Sequence, residues 1–108
     1  MNIFFDQGVP VPIRDFLSGH SVTTAFERGW DTLSNGELIA AVEVEFDVFV
    51  STDKNLRYQQ NLSGRRLIIV ILPTPSWPRL KPHGEAIRSA IEGTTPGNYI
   101  EWQFPGVG

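Results

Sequence analysis

The sequence contains no cysteine, which excludes a disulfide framework and any metal site built on thiolates. It contains no apolar run near the roughly 20 residues that a membrane-spanning helix needs. Its first residues lack the basic start and the long apolar segment of a signal peptide, so we expect a soluble cytoplasmic protein. No glycine-rich loop follows any predicted strand, and Gly8 alone does not make one. A nucleotide- or phosphate-binding α/β domain that relies on such a loop therefore ranks last among the candidate functions.

The net charge of −3 argues against a general nucleic-acid-binding surface, but the charges are unevenly distributed. Residues 1–52 carry eight acids and two bases, whereas residues 53–108 carry four acids and seven bases. Four of these bases, Lys54, Arg57, Arg65 and Arg66, follow closely after Asp53. An acidic pole beside a basic one is suited to holding a cation and a phosphate together, and the alternative is a solvated surface of mixed charge.

Runs of β-branched and aromatic residues predict five strands, at residues 2–6, 20–25, 46–50, 67–72 and 99–104. Between them we expect a helix beginning at Pro12 and ending at Gly19, another beginning at Ser34, a short helix or ordered loop over 56–62, and a last helix from Pro78. Helices that alternate with strands indicate parallel pairing. We predict one domain over residues 1–108, a three-layer α/β/α sandwich with a mainly parallel five-stranded sheet.

Two of the predicted strands end at a carboxylate. Asp6 closes the first strand, and Asp53 lies just beyond the strand of Val48, Phe49 and Val50. Right-handed crossovers bring the carboxyl ends of parallel strands to one edge, where ligands bind in open α/β sheets. Asp6 and Asp53 should therefore lie on the same edge of the sheet. For Asp53, the alternative is a purely structural role as an N-cap or turn residue.

A third acid, Glu37, has two interpretations. Ser34 and Glu37 have capping-box spacing, so the Glu37 carboxylate can bond the backbone of Ser34. A carboxylate in that first helical turn can also face the sheet edge as a metal ligand, and the two roles do not exclude each other. Three carboxylates without cysteine suit a hard cation, Mg²⁺ or Mn²⁺, which takes oxygen ligands.

Polar side chains after Asp53 are candidates for binding a nucleic-acid substrate. They are Lys54, Asn55, Arg57, Tyr58 and Arg65. Such groups bond phosphate, sugar and base edges, and they would equally suit an ordinary exposed helix.

An ordered set of short motifs resembles the short PIN-like proteins of bacteria, which are classed as uncharacterised or as candidate toxin components of toxin–antitoxin pairs. The motifs are Phe5-Asp6-Gln7 with Val9-Pro10, Gly19-His20-Ser21-Val22-Thr23-Thr24, Gly29-Trp30, Leu33-Ser34-Asn35-Gly36-Glu37-Leu38, Phe46-Asp47-Val48, Thr52-Asp53-Lys54-Asn55, Tyr58-Gln59-Gln60-Asn61-Leu62, Gly64-Arg65-Arg66 and Ser76-Trp77-Pro78. The resemblance covers nearly the whole chain. No single motif is diagnostic, and the ordered set carries the resemblance.

The resemblance implies a PIN-like fold and a ribonuclease that depends on Mg²⁺ or Mn²⁺. Asp6, Glu37 and Asp53 match the family's clustered acids, as catalytic residues and metal ligands, and related sequences often have Asp in place of Asn35. A further acid usually follows the next strand, but residues 73–76 here contain no carboxylate. This departure puts the second metal and the activity in question.

The function expected on this basis is RNA hydrolysis by a toxin component, with a small antitoxin protein as partner and no membrane partner. The alternative is a PIN-like module that has lost its chemistry and binds nucleic acid or a protein. Pairing of edge strands between two copies, giving a homodimer, stays open.

Overall fold

The structure is a computed structural model that describes residues 1–59, 62 and 64–106. Its five strands are β1 (Asn2–Phe5), β2 (Ser21–Thr24), β3 (Val48–Ser51), β4 (Ile68–Ile71) and β5 (Tyr99–Glu101). They form one sheet in the order β2-β1-β3-β4-β5, and every neighbouring pair is parallel. This confirms the predicted α/β class and its mainly parallel five-stranded sheet.

The helices are α1 (Ala25–Arg28), α2 (Asn35–Glu45), α3 (Leu56–Gln59), α4 (Trp77–Leu80) and α5 (Gly84–Glu92), with 3-10 helices at Val11–Phe16 and Lys81–His83. In the described part of the chain, none of the helices has the length and apolar character needed to cross a membrane.

Three helical segments differ from the prediction. The last helix, expected to run on from Pro78, is divided into α4, the 3-10 helix Lys81–His83 and α5. The segment after Pro10 is a 3-10 helix, Val11–Phe16, rather than an α-helix. Pro10 and Pro12 lack backbone N–H donors, which limits the regular α-helical bonding available to so short a segment. Ala25 was assigned to the second strand but begins α1, because Thr24 and Glu27 form a reciprocal capping box.

The sheet is apolar on both faces, with alternate residues of each strand pointing to opposite sides. Ile3, Phe5, Val48 and Val50 pack on one face against Ile13, Leu17, Leu80, Ile87 and Ile91. Phe4, Phe49, Ile69 and Ile71 pack on the other face against Ala25, Leu38, Ile39, Val42 and Leu56. The continuous apolar runs of β3 and β4 follow from this burial on both faces, as predicted.

The strand order reverses between β1 and β3. From β1 the chain first adds β2 on one side and then returns to place β3 on the other. Ile3 is paired with Val48 and Phe5 with Val50, so the two strands end level with each other. In doubly wound sheets such a reversal leaves a crevice beyond the carboxyl ends of the two strands, where ligands bind.

Candidate active site

Asp6 lies directly beyond β1, at the strand-order reversal. Its backbone N–H donates to the Val50 carbonyl (2.9 Å), which continues the ladder between β1 and β3 by one residue. Its carboxylate accepts two hydrogen bonds. Oδ1 accepts from the Gln7 backbone N–H (2.9 Å), and Oδ2 accepts from the Ser51 hydroxyl (2.9 Å). These bonds fix the orientation of the carboxylate at the edge of the sheet.

Asp53 lies beyond β3, on the neighbouring strand. Its backbone N–H donates to the Ser51 Oγ (3.1 Å), so one hydroxyl contacts both acidic residues. Its Oδ1 accepts from the Asn55 backbone N–H (3.0 Å), and its Oδ2 accepts from the Asn35 side-chain amide (3.2 Å). Ser51 is fully buried, with 0% of its surface exposed. The structure therefore brings Asp6 and Asp53 together at one edge, as predicted from parallel pairing.

Close packing holds the surrounding loops. A Cβ atom placed on Gly8 would lie 2.2 Å from the Thr52 Oγ1, so the loop after β1 packs closely against the Thr52 side chain in the loop after β3. The Gln7 side chain donates to the Asp31 carbonyl, which ties the loop before α2 to the same edge. Three loops are thus joined around the two acids.

Glu37 is the reciprocal partner in the capping box of α2. Its Oε1 accepts from the Ser34 hydroxyl (2.7 Å) and from the Ser34 backbone N–H (3.3 Å), while the Ser34 Oγ accepts from the Glu37 N–H. The hydroxyl bond and then the backbone bond of Ser34 lower the pKa of the Glu37 carboxyl below its ordinary value. The structural interpretation of Glu37 is confirmed. Its role as a metal ligand stays a prediction.

Every hydrogen-bond donor to the two acids is an uncharged group. Within the described residues, no Lys, Arg or His forms an ion pair with Asp6 or Asp53. Each of their four carboxylate oxygens accepts one hydrogen bond, and a carboxylate offers about four lone-pair sites in all. Each of these oxygens therefore has acceptor capacity left for a cation.

The donor set fits a hard divalent cation held by two carboxylates. Over residues 1–59, 62 and 64–106, no group of three or more His, Asp or Glu side chains is arranged to hold a metal ion. Mg²⁺ is commonly bound by one or two carboxylates, with water and substrate phosphate completing the shell. Asp6 and Asp53 can supply those two carboxylates.

Lys54 and Arg57 remain on the same edge as the acids. Lys54 is exposed and lines a small cavity of about 90 Å³ together with Pro73, Trp102 and Gln103. Arg57, in α3, forms an ion pair with Glu101 (3.2 Å) at the end of β5. The Asn55 backbone bonds Asp53, as described above. Tyr58 falls within α3, but its side chain is outside the described part of the structure.

Arg65 and Arg66 do not join this site, which corrects the expectation that the four bases face one phosphate. Both residues precede β4, and a residue before a parallel strand lies at the amino edge of the sheet. Arg65 forms an ion pair there with Glu43 (2.6 Å). Arg66 lines an open groove of about 580 Å³ with Met1 and Asp47, at the starts of the strands. Arg65 and Arg66 are near Asp53 in the sequence but not in space. The chain returns from the carboxyl edge to the amino edge of the sheet before β4 begins.

Ser51 was not predicted as a site residue, and Asn35 entered only through the resemblance, as a position where related sequences often have Asp. A hydroxyl residue two positions before an acid can accept a hydrogen bond from the acid's backbone N–H, so the Ser51–Asp53 spacing was a usable signal. Asn35 had no such local signal. Its contact with Asp53 spans 18 residues and depends on how α2 docks on the sheet.

Comparison of the chain with protein-family models, with curated proteins and with solved structures finds no match. The proposed function therefore rests on the positions of Asp6 and Asp53 at the carboxyl edge of the sheet.

Proposed function

We propose that this protein is a metal-dependent ribonuclease of the PIN-like class. The observation that supports this most is the pair of carboxylates at the strand-order reversal, Asp6 and Asp53, joined through the buried Ser51 hydroxyl. They are oriented by uncharged donors and are not neutralised by a base within the described residues. Two fixed carboxylates at the crevice of a doubly wound sheet suit Mg²⁺ or Mn²⁺ better than any other ligand class considered above.

In this proposal Asp6 and Asp53 hold the ion. Bound there, the divalent ion supplies an activated water and stabilises the charge that develops on a phosphodiester. Asn35 holds the Asp53 carboxylate in place from the side, and Ser51 does the same for Asp6. The Glu37 Oε1 is occupied by Ser34, which leaves Oε2 to orient a water at the site. Lys54 and Arg57 are the residues that would contact substrate phosphate.

The biological setting follows from the resemblance to PIN-like toxin components. In that setting the protein acts in the cytoplasm on RNA and is neutralised by a small antitoxin protein. A homodimer formed through an edge strand, β2 or β5, is a further part of the proposal.

A second candidate function is a PIN-like module without catalysis that binds nucleic acid or a protein partner. The segment after β4, residues 73–76, favours it, because it offers no carboxylate to complete the acidic cluster. A single ion held by two acids is a weaker arrangement than the larger clusters typical of phosphodiester hydrolysis.

Cleavage of a fluorescence-quenched RNA oligonucleotide in Mg²⁺ or Mn²⁺ tests the first candidate. Cleavage should stop in EDTA, return when Mn²⁺ is added back, and be abolished by Asp6→Asn. That variant has one acceptor oxygen fewer and should lose no more stability than one hydrogen bond contributes, about 1 kcal/mol. If the Asp6→Asn variant cuts as fast as the parent, the assignment is wrong. Binding of the oligonucleotide without cleavage in either ion would select the second candidate.

A further inference from the structure

A cluster of aromatic rings lies beyond the ends of β4 and β5, beside the acidic edge. His83, Trp102 and Phe104 contact one another, with ring centroids 5.2 to 5.5 Å apart and mutually tilted or edge-on geometry. Trp102 belongs to the core, whereas His83 and Phe104 are only partly buried. In this cluster Trp102 is buried, and His83 and Phe104 form a rim that faces solvent.

Arg79, in α4, covers Phe104 on that rim. The guanidinium carbon lies over the ring, 4.9 Å from its centroid, and the residue is exposed. Arg79 differs in this from five other arginines, each of which pairs with a glutamate: Arg14, Arg28, Arg57, Arg65 and Arg88. For Arg79, no acidic group of the described chain lies within ion-pair distance. The Arg79 side chain is thus supported by a ring and exposed, without an acidic partner in the described chain.

Trp102 connects the cavity beside Lys54 to the rim that carries Arg79. Lys54 directly follows Asp53 and shares the small cavity with Pro73, Trp102 and Gln103. Trp102 in turn contacts both rings of the rim, and Phe104 supports Arg79. Lys54, Trp102, Phe104 and Arg79 are therefore successive neighbours, beginning with the residue that follows Asp53.

We propose that Arg79, supported by Phe104, is a stacking subsite for one base of a single-stranded nucleic acid whose backbone passes Lys54. The inference rests on the proposed function, because it names how the same edge holds its substrate. Unpaired bases stack on aromatic rings and on guanidinium planes, and a lysine suits the phosphate between them.

Fluorescence anisotropy in EDTA tests the subsite without cleavage. The probes are a labelled oligoadenylate and a ribose–phosphate oligomer of equal length that lacks bases. The parent should bind the oligoadenylate more tightly than the abasic oligomer. Arg79→Lys keeps the charge but loses the plane, so it should weaken oligoadenylate binding by roughly five- to tenfold and leave the abasic oligomer unaffected. Phe104→Leu should also weaken oligoadenylate binding and leave binding of the abasic oligomer unaffected.

Arg28→Lys is the matched control, because Arg28 lies over the Trp30 ring (4.9 Å) on the opposite face of the sheet. It should bind both probes as the parent does. If Arg79→Lys binds oligoadenylate like the parent, or if the parent shows no preference for bases, the subsite is refuted. RNA cleavage by the parent is scored separately. Cleavage with unchanged Arg79→Lys binding refutes only the subsite, and base-dependent binding without cleavage refutes only the nuclease.

Discussion

Two glutamates near the start of β3 and two aspartates near its end differ in their hydrogen-bond partners. At the amino edge, Glu43 and Glu45 form ion pairs with Arg65 and Arg28. At the carboxyl edge, Asp6 and Asp53 receive hydrogen bonds only from hydroxyl, amide and backbone donors. Ion pairs neutralise a carboxylate, whereas uncharged donors orient it and leave its charge in place. The contrast is between these two glutamates and the pair Asp6 and Asp53, which is the proposed cation site. It does not extend to every acid of each edge, since Asp47 at the amino edge accepts from the Asn2 N–H (2.8 Å) and Glu101 at the carboxyl edge is paired with Arg57.

The largest expected effect comes from comparing two aspartate-to-asparagine variants, one just after β3 and one just before it. Asp53→Asn removes a proposed metal ligand and should lower RNA cleavage by more than about a hundredfold, beyond the usual cost of losing a supporting residue. Asp47→Asn makes the same change at the amino edge, where Asp47 accepts a hydrogen bond from the Asn2 N–H (2.8 Å). It should leave the cleavage rate within about twofold of the parent. Equal losses in the two variants would show that the edges do not differ in function.

The second largest effect is expected from removing the buried Ser51 hydroxyl. Ser51→Ala leaves the Asp53 N–H without its acceptor and removes the support of Asp6. It should weaken Mn²⁺ binding about 10- to 100-fold and destabilise the fold by about 1–3 kcal/mol.

Thr24→Ala is the control, because Thr24 is also buried and its hydroxyl caps α1. It should cost about 1 kcal/mol of stability and leave Mn²⁺ affinity unchanged. Calorimetry and urea unfolding measure the two quantities. A Ser51→Ala variant that loses stability but binds Mn²⁺ like the parent would reduce Ser51 to a packing residue.

Asn35→Asp tests the site in the opposite direction, by adding charge. The new carboxylate replaces the amide that donates to the Asp53 Oδ2, so the variant without metal should lose about 1 kcal/mol of stability. A third carboxylate beside the pair should raise Mn²⁺ affinity about tenfold. Asn98→Asp is the amino-edge control, because Asn98 uses its Oδ1 as an acceptor, which Asp preserves. Weaker Mn²⁺ binding by Asn35→Asp would argue against a cation near Asp53.

The smallest expected effect is the acid sensitivity of the amino edge. The hydrogen bond from Arg28 lowers the pKa of the Glu45 carboxyl below its ordinary value of 4.5. The stability from this pair is therefore fully present above that ordinary value and is lost as the pH falls through the lowered pKa. The parent should be more stable than Glu45→Gln at about pH 7, and the difference should be smaller at about pH 3. Urea midpoints that differ equally at both values would contradict this assignment.

The parts of the site that depend on strand topology could be predicted from the sequence. Continuous apolar runs give β3 and β4, helices between strands give parallel pairing, and parallel pairing places Asp6 and Asp53 on one edge. The capping box at Ser34 and Glu37 is a local spacing rule and was also recognised. The Thr24 and Glu27 box obeys the same rule and was overlooked because its segment also alternates like a strand.

Contacts that depend on helix docking or on chain reversal could not be predicted. Asn35 reaches Asp53 only because α2 packs on the sheet at a particular height. Arg65 and Arg66 seemed to belong with Asp53 because they are near it in the sequence, but the chain crosses to the amino edge before β4. Charge clustering along a chain therefore says little about charge clustering in space when a crossover intervenes.

Titration of Mn²⁺ into the parent, Asp6→Asn, Asp53→Asn and the double variant, by calorimetry, tests the shared ion most directly. If the two carboxylates hold one cation, the parent binds Mn²⁺, each single variant loses that binding, and the double variant loses no more than either single one. A parent that gives no binding heat, or single variants whose losses add independently in the double variant, would contradict the account.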